Sequence, residues 1–161
     1  MSFPPASGQS SLRSALLGAC TGLRSQLGLA AVVVGPESHR VPSVLRTRAA
    51  KRIVASLAGG ELLLDKYAKA PNRTDPPGLV LRFALGAGSA GLLARSEQEP
   101  PGPAACIGAI SALGAAFGGF VARRRLSAAL PPIAVALAED ALAMTLATLA
   151  VTRFAGQPRG R

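Results

Sequence analysis

Apolar residues along this chain fall into long blocks separated by short polar or proline-rich gaps. Residues 15–34 form the first block, with Arg24 inside it, and Gly35-Pro36 ends it. About 20 apolar residues in helical form cross ~30 Å of hydrocarbon, so this block predicts a first membrane span. Residues 79–93, with Arg82 near their start, residues 104–122 and residues 132–151 predict three more. Residues 53–64 are apolar but short, contain Gly59-Gly60, and end in Glu61, Asp65 and Lys66. A stretch of that length is more often re-entrant or interfacial than spanning. The predicted fold class is all-α: a polytopic membrane helical bundle of four spans plus one short or re-entrant helix. Residues 1–14, rich in Ser, Pro and Gly, predict a disordered N-terminal tail. Residues 15–152 make the membrane helical domain, and residues 153–161 a basic C-terminal tail.

Composition supports a lipid environment over an aqueous one. Of 161 residues, 49% are hydrophobic but only 4% aromatic, so the apolar mass is Ala, Leu, Val and Gly. Mean hydropathy is +0.35, high for a chain that also carries polar tails. Small residues let helix backbones approach closely, which is how helices associate in lipid. Gly114-x-x-x-Gly118 has the spacing of such a contact, and the small-residue faces predict a homo-oligomer. The Ala, Gly, Arg and Pro bias fits a GC-rich bacterial genome, and with the spans it predicts a multi-pass protein of the inner membrane.

A net charge of +10, from 15 Arg and 3 Lys against 8 acids, raises nucleic-acid binding as one reading. The basic residues instead occupy gaps between apolar blocks: Arg40, Arg46, Arg48, Lys51 and Arg52 in one, Arg123, Arg124 and Arg125 in another. That placement suits cytoplasmic loops, so the expected partner is membrane lipid and not nucleic acid. If residues 53–64 dip in and return, both basic gaps share a side, opposite the acidic loop 95–103, with both termini outside. The positive-inside rule favours this arrangement. Full crossing by 53–64 would put the two gaps on opposite sides, and the basic tail keeps that five-span alternative open.

The charges inside the apolar blocks carry the chemistry. Glu139 and Asp140 lie in the middle of 132–151, and Arg24 in the middle of 15–34. An ionisable group in hydrocarbon costs roughly 2.5–3.5 kcal/mol on insertion scales, so these side chains are expected to face one another or a water-filled cavity. On a helix Glu139 and Asp140 diverge by about 100°, while Glu61 and Asp65, four apart, share a face. Arg24 is expected to pair with Glu139 or Asp140, unless the span starts later and leaves Arg24 at the interface. Arg73, in the polar turn 71–76, has the geometry for an anion or lipid phosphate. The candidate solute- or ion-binding set is Arg24, Glu61, Asp65, Lys66, Arg73, Arg82, Glu139 and Asp140. Carboxylates in lipid can carry protons because desolvation disfavours their charged form. The leading expectation is therefore a transporter or channel-like protein for an unknown small solute or ion. The alternative is a non-transporting scaffold or assembly factor whose charges only fix helix register.

No enzyme is expected. His39 is the sole histidine, no phosphate-loop pattern occurs, and no metal cluster or cofactor motif is visible. Cys20 and Cys106 both lie in apolar blocks without partners and read as buried inert thiols. Leu17-Gly18-Ala19-Cys20 looks like a lipoprotein cleavage box, but the apolar stretch between Arg13 and that box is too short for a signal peptide.

An ordered motif set runs through nearly the whole chain. It comprises Gly22-Leu23-Arg24-Ser25 with Gly28, Glu61 through Asp65-Lys66, Pro71-Asn72-Arg73-Thr74 followed by Pro77, Leu79 and Arg82, then Gly86-Ala87 and Ala138-Glu139-Asp140. In these residues the chain resembles a family of bacterial membrane proteins catalogued as domain of unknown function 4126. The resemblance implies a small, multi-spanning, Gly- and Ala-rich protein, and no reaction. Its motif residues coincide with the membrane-embedded charges, whereas loop 95–103 carries none and is less typical of the family.

Overall fold

The structure, a computed structural model, describes residues 8–35, 41–64 and 76–152, with the side chains of 61–64 outside that description. The described residues are helical, with no strand among them. Their elements are α1 (Gly8–Leu23), α2 (Leu27–Val34), α3 (Ser43–Arg46), α4 (Arg48–Leu64), α5 (Pro76–Ser96), α6 (Pro101–Leu126) and α7 (Pro132–Val151). Proline occupies the first turn of α6 and of α7, where its missing N–H is no loss and its fixed φ suits the helix.

Among the described residues, three helices, α5, α6 and α7, are long and apolar enough to cross a membrane. Their outward faces carry Val80, Phe83, Ile110, Phe117, Leu142 and Met144, with Ile110 70% exposed. So many large apolar side chains turned outward on adjacent helices are unfavourable in water and favourable in lipid. These helices support an integral membrane protein with lipid at its surface.

α1 occupies the centre, packed against α5, α6 and α7. It is buried on nearly every side, from Ser14 through Leu17, Cys20, Thr21 and Leu23. Close approach to α6 comes from glycines. A methyl group at Gly18 would sit 2.8 Å from Ser111 Cβ, and one at Gly22 2.8 Å from Ala115 Cβ. Gly86 brings α5 equally close, since a methyl there would lie 2.7 Å from Ala112 Cβ. The contact expected from Gly114 and Gly118 is not made within this chain: a methyl group at either position would meet nothing within 4 Å. Cys106 likewise is exposed, not buried, because it lies on the outer side of α6.

The first expected span is not one helix. It begins at Gly8, so Gly8–Ser14 are helix and not tail, and it breaks after Leu23. α2 then runs back alongside α1. Were the helix continuous, Gly28 would lie roughly 16 Å along the axis from Leu17. Instead, a methyl group at Gly28 would be 3.2 Å from both the Leu17 carbonyl oxygen and Ser89 Oγ. Val32 shares a core with Leu17 and Cys20, and a methyl at Gly35 would lie 3.4 Å from Val151 Cγ2. α1 and α2 thus form a hairpin that enters and leaves at the Val151 end of α7. Its turn, Arg24-Ser25-Gln26, keeps its backbone bonded: Arg24 N–H to Cys20 O at 2.8 Å, Leu27 N–H to Arg24 O at 3.1 Å, and Ala30 N–H to Gln26 O at 3.0 Å. A broken backbone at membrane depth is tolerated where, as here, protein surrounds it.

This hairpin corrects the expected sidedness of the basic gaps. Val41 and Leu45 pack with Leu17, Leu93 and Val151, which puts α3 and the start of α4, with Arg46, Arg48, Lys51 and Arg52, at the Val151 end. Arg123–Arg125 end α6 beside the start of α7, at the opposite end. α2 ends at one end of the bundle and α5 begins at the other, with 36–75 between them in sequence. α4 is the longer helix described within them. It is a 17-residue helix that absorbs part of the basic connector, and Val54 and Ala58 pack it on Ala30 and Val33 of α2.

The loop expected at 95–103 is only 97–100, since α5 continues to Ser96 and α6 starts at Pro101. α5 ends in a Schellman pattern: Glu99 N–H donates to Ala94 O at 2.9 Å and Gln98 N–H to Arg95 O at 3.2 Å. Gln98 takes the left-handed position at φ 63°, where glycine is usual. Gln98→Gly should therefore raise stability by about 1 kcal/mol, read as a higher unfolding midpoint in detergent. A lower midpoint would show that the Gln98 side chain makes compensating contacts.

Candidate functional site

Arg24 stands at the tip of the hairpin, 2% exposed. Its Nε donates to Asp140 Oδ1 at 2.6 Å, and Nη2 contacts the same oxygen. Asp140 lies eight residues into α7, about 12 Å from the start of that helix. The pair therefore lies well inside the bundle, beyond the reach of a snorkelling side chain. An ion pair at this depth must be close and hydrogen-bonded to offset the desolvation of both partners, and this one is.

Glu139 turns to a different helix. Its Oε2 lies 3.7 Å from Arg123 Nε on α6, and both groups are partly or wholly withdrawn from solvent. Gly119 makes room for it: a methyl group there would come within 3.3 Å of Glu139 Oε1 and 2.9 Å of Leu23 Cδ2. Arg82, on α5, is buried and donates from Nε to the Gly22 carbonyl at 3.1 Å and from Nη1 to the Gly78 carbonyl at 3.2 Å. It thus pins α5 to the last turn of α1, one helical step below Arg24.

Of the eight expected site residues, the structure brings together Arg24, Arg82, Glu139 and Asp140 at this level of the bundle. The Glu61 side chain and all of Asp65, Lys66 and Arg73 lie outside the described residues. Among the described residues, no group of three or more His, Cys, Asp or Glu could hold a metal ion.

Sequence reasoning missed two participants. Arg123 was read only as a marker of sidedness, although its place one turn from Gly119 puts it opposite Glu139. Arg13 was assigned to a tail. It is buried, donates from Nε to the Ala150 carbonyl at 2.6 Å, and pairs through Nη1 with Glu97. Arg13 and Arg24 are eleven residues apart, so on one helix they share a face. α1 is therefore tied to α7 at two levels, near Ala150 and at Asp140. A charge eleven residues ahead of Arg24, in a segment with a helical apolar period, was the available signal.

No family model, characterised protein or solved structure matched this chain.

Proposed function

We propose that this protein is a transporter or channel-like protein, non-enzymatic, in a bacterial inner membrane, and that it belongs to the family it resembles. α4 would be the fourth crossing beside α5, α6 and α7, and the α1–α2 hairpin the re-entrant element. Arg24, Asp140 and Glu139 form the core of the site for a small solute or ion, and Arg82 supports it. Glu61, Asp65, Lys66 and Arg73 complete the set of candidate residues for that solute. The open small-residue face around Gly114 and Gly118 favours a homo-oligomer. The observation that carries this reading is the Arg24–Asp140 pair at the tip of a hairpin that reverses inside the bundle. Transport sites are commonly built where helices are interrupted at mid-membrane and present helix ends and charges to a solute.

A thermal-stability screen of the detergent-purified protein against ions, pH and small metabolites tests it, with Glu139→Gln in parallel. A ligand of the folded state raises the unfolding temperature by mass action, worth about 2.7 kcal/mol at a hundred times its dissociation constant. The expected result is a solute-dependent rise in the native protein that Glu139→Gln abolishes while remaining folded. A rise of equal size in both proteins would remove Glu139 from the site.

A second reading, a scaffold or assembly factor, is favoured by one observation: Arg24 is almost fully enclosed and already engaged by Asp140. A co-purifying protein partner, with no solute-dependent shift, would decide for it.

A further inference from the structure

The end of α6 carries a feature that the charged site does not use in full. The apolar block 104–122 is 19 residues long, about 28 Å of helix, which matches the ~30 Å hydrocarbon core. Arg123, Arg124 and Arg125 follow at once, so they stand at the depth of lipid phosphates. Arg124 and Arg125 are exposed. Around them Val121, Leu126, Leu130 and Ile133 also face outward, giving the three guanidiniums an apolar rim suited to acyl chains. Arg123 differs from its neighbours. It is half-withdrawn, and its Nε stands 3.7 Å from Glu139 Oε2, in ion-pair range. It is thus within reach of both the buried carboxylate and the surface.

We propose that Arg123–Arg125 bind the phosphate of an anionic lipid headgroup, and that the bound phosphate competes with Glu139 for Arg123. Guanidinium groups take phosphate oxygens in paired hydrogen bonds, and basic clusters just outside a span draw anionic lipid electrostatically. A phosphate seated on Arg124 and Arg125 draws the guanidinium of Arg123 outward and leaves Glu139 less compensated. Headgroup charge thereby sets the state of the carboxylate in the candidate site. This coupling rests on the membrane reading proposed above.

Native mass spectrometry of the full chain in neutral detergent, titrated with phosphatidylglycerol or phosphatidylcholine, tests it. Phosphatidylglycerol should bind roughly 100-fold tighter than phosphatidylcholine, and Arg124→Gln with Arg125→Gln should lose most of that preference, roughly 30-fold for two charges. Both side chains are exposed, so the double variant should fold. Glu139→Gln should tighten phosphatidylglycerol about two- to fivefold, because Arg123 loses its competing partner. Equal binding of the two lipids, or undiminished preference in the double variant, overturns the site. Inorganic phosphate displacing phosphatidylglycerol at equal concentration overturns the lipid as its ligand. Unchanged affinity in Glu139→Gln overturns the competition. A chain that stays folded and monodisperse without detergent would defeat the membrane reading itself, whereas detergent dependence with blindness to headgroup charge would defeat this inference alone.

Discussion

Arg24→Met should destabilise the protein by about 3–5 kcal/mol, because it leaves Asp140 buried without its cation. Asp140→Leu should cost a similar amount for the converse reason. The double replacement Arg24→Met with Asp140→Leu should recover most of the loss, since well-packed apolar groups often replace a buried ion pair at little cost. Thermal unfolding of the four proteins in one detergent closes the cycle, and the coupling between the sites is the quantity read. Single variants as stable as the native chain would mean that the pair is hydrated, contrary to its enclosure. The double variant also separates the two functional readings. Stable but unresponsive to any solute that shifts the native protein, it makes the pair part of the binding site. Stable and fully responsive, it confines the pair to holding the hairpin tip against α7.

The helical class and the last three spans were legible because each is a long apolar block bounded by proline or arginine, and block length maps directly onto helix length. Residues 132–151 coincide with α7, and α5 and α6 extend a few residues beyond the predicted 79–93 and 104–122. The hairpin was illegible for a physical reason. Residues 15–34 are as apolar as a span because both arms of the hairpin are buried, α1 by α5, α6 and α7 and α2 by α4, α5 and α7, and hydropathy reports burial without direction. No proline or glycine marks the turn itself. The weak trace is the polar triplet Arg24-Ser25-Gln26, with Gly28 just after it allowing α2 to close on α1. The sidedness of the basic gaps failed for the same reason, since one uncounted reversal exchanges the ends of everything before α5. At the site, Asp140 was reachable from the isolation of Arg24 in its block. Arg123 was not, because an arginine at the end of a span already has a sufficient reason to be there.

Glycines at the centre of the bundle should respond to alanine in opposite senses depending on the face they occupy. At Gly18 and Gly22 the added methyl would lie 2.9 Å from backbone atoms of α6, at the Gly108 carbonyl carbon and the Ala116 nitrogen respectively. Backbone cannot rotate away as a side chain can, so α1 must move off α6. Overpacking of this kind costs about 1–3 kcal/mol, and it outweighs the gain of up to about 1 kcal/mol that alanine offers in helix propensity. The same shift would disturb the geometry of Arg24, two residues beyond Gly22. Gly114→Ala and Gly118→Ala meet open space, so within one chain they should be neutral or mildly stabilising. Thermal unfolding of the four single variants, each also weighed by light scattering, reads two things at once. Gly18→Ala and Gly22→Ala should unfold earlier at unchanged mass, and a pair as stable as the native chain would refute the close contact of α1 with α6. If Gly114 and Gly118 form the contact between copies, their alanine variants should lose mass without early unfolding. If mass and stability both stay native, that face meets only lipid and makes no contact between copies.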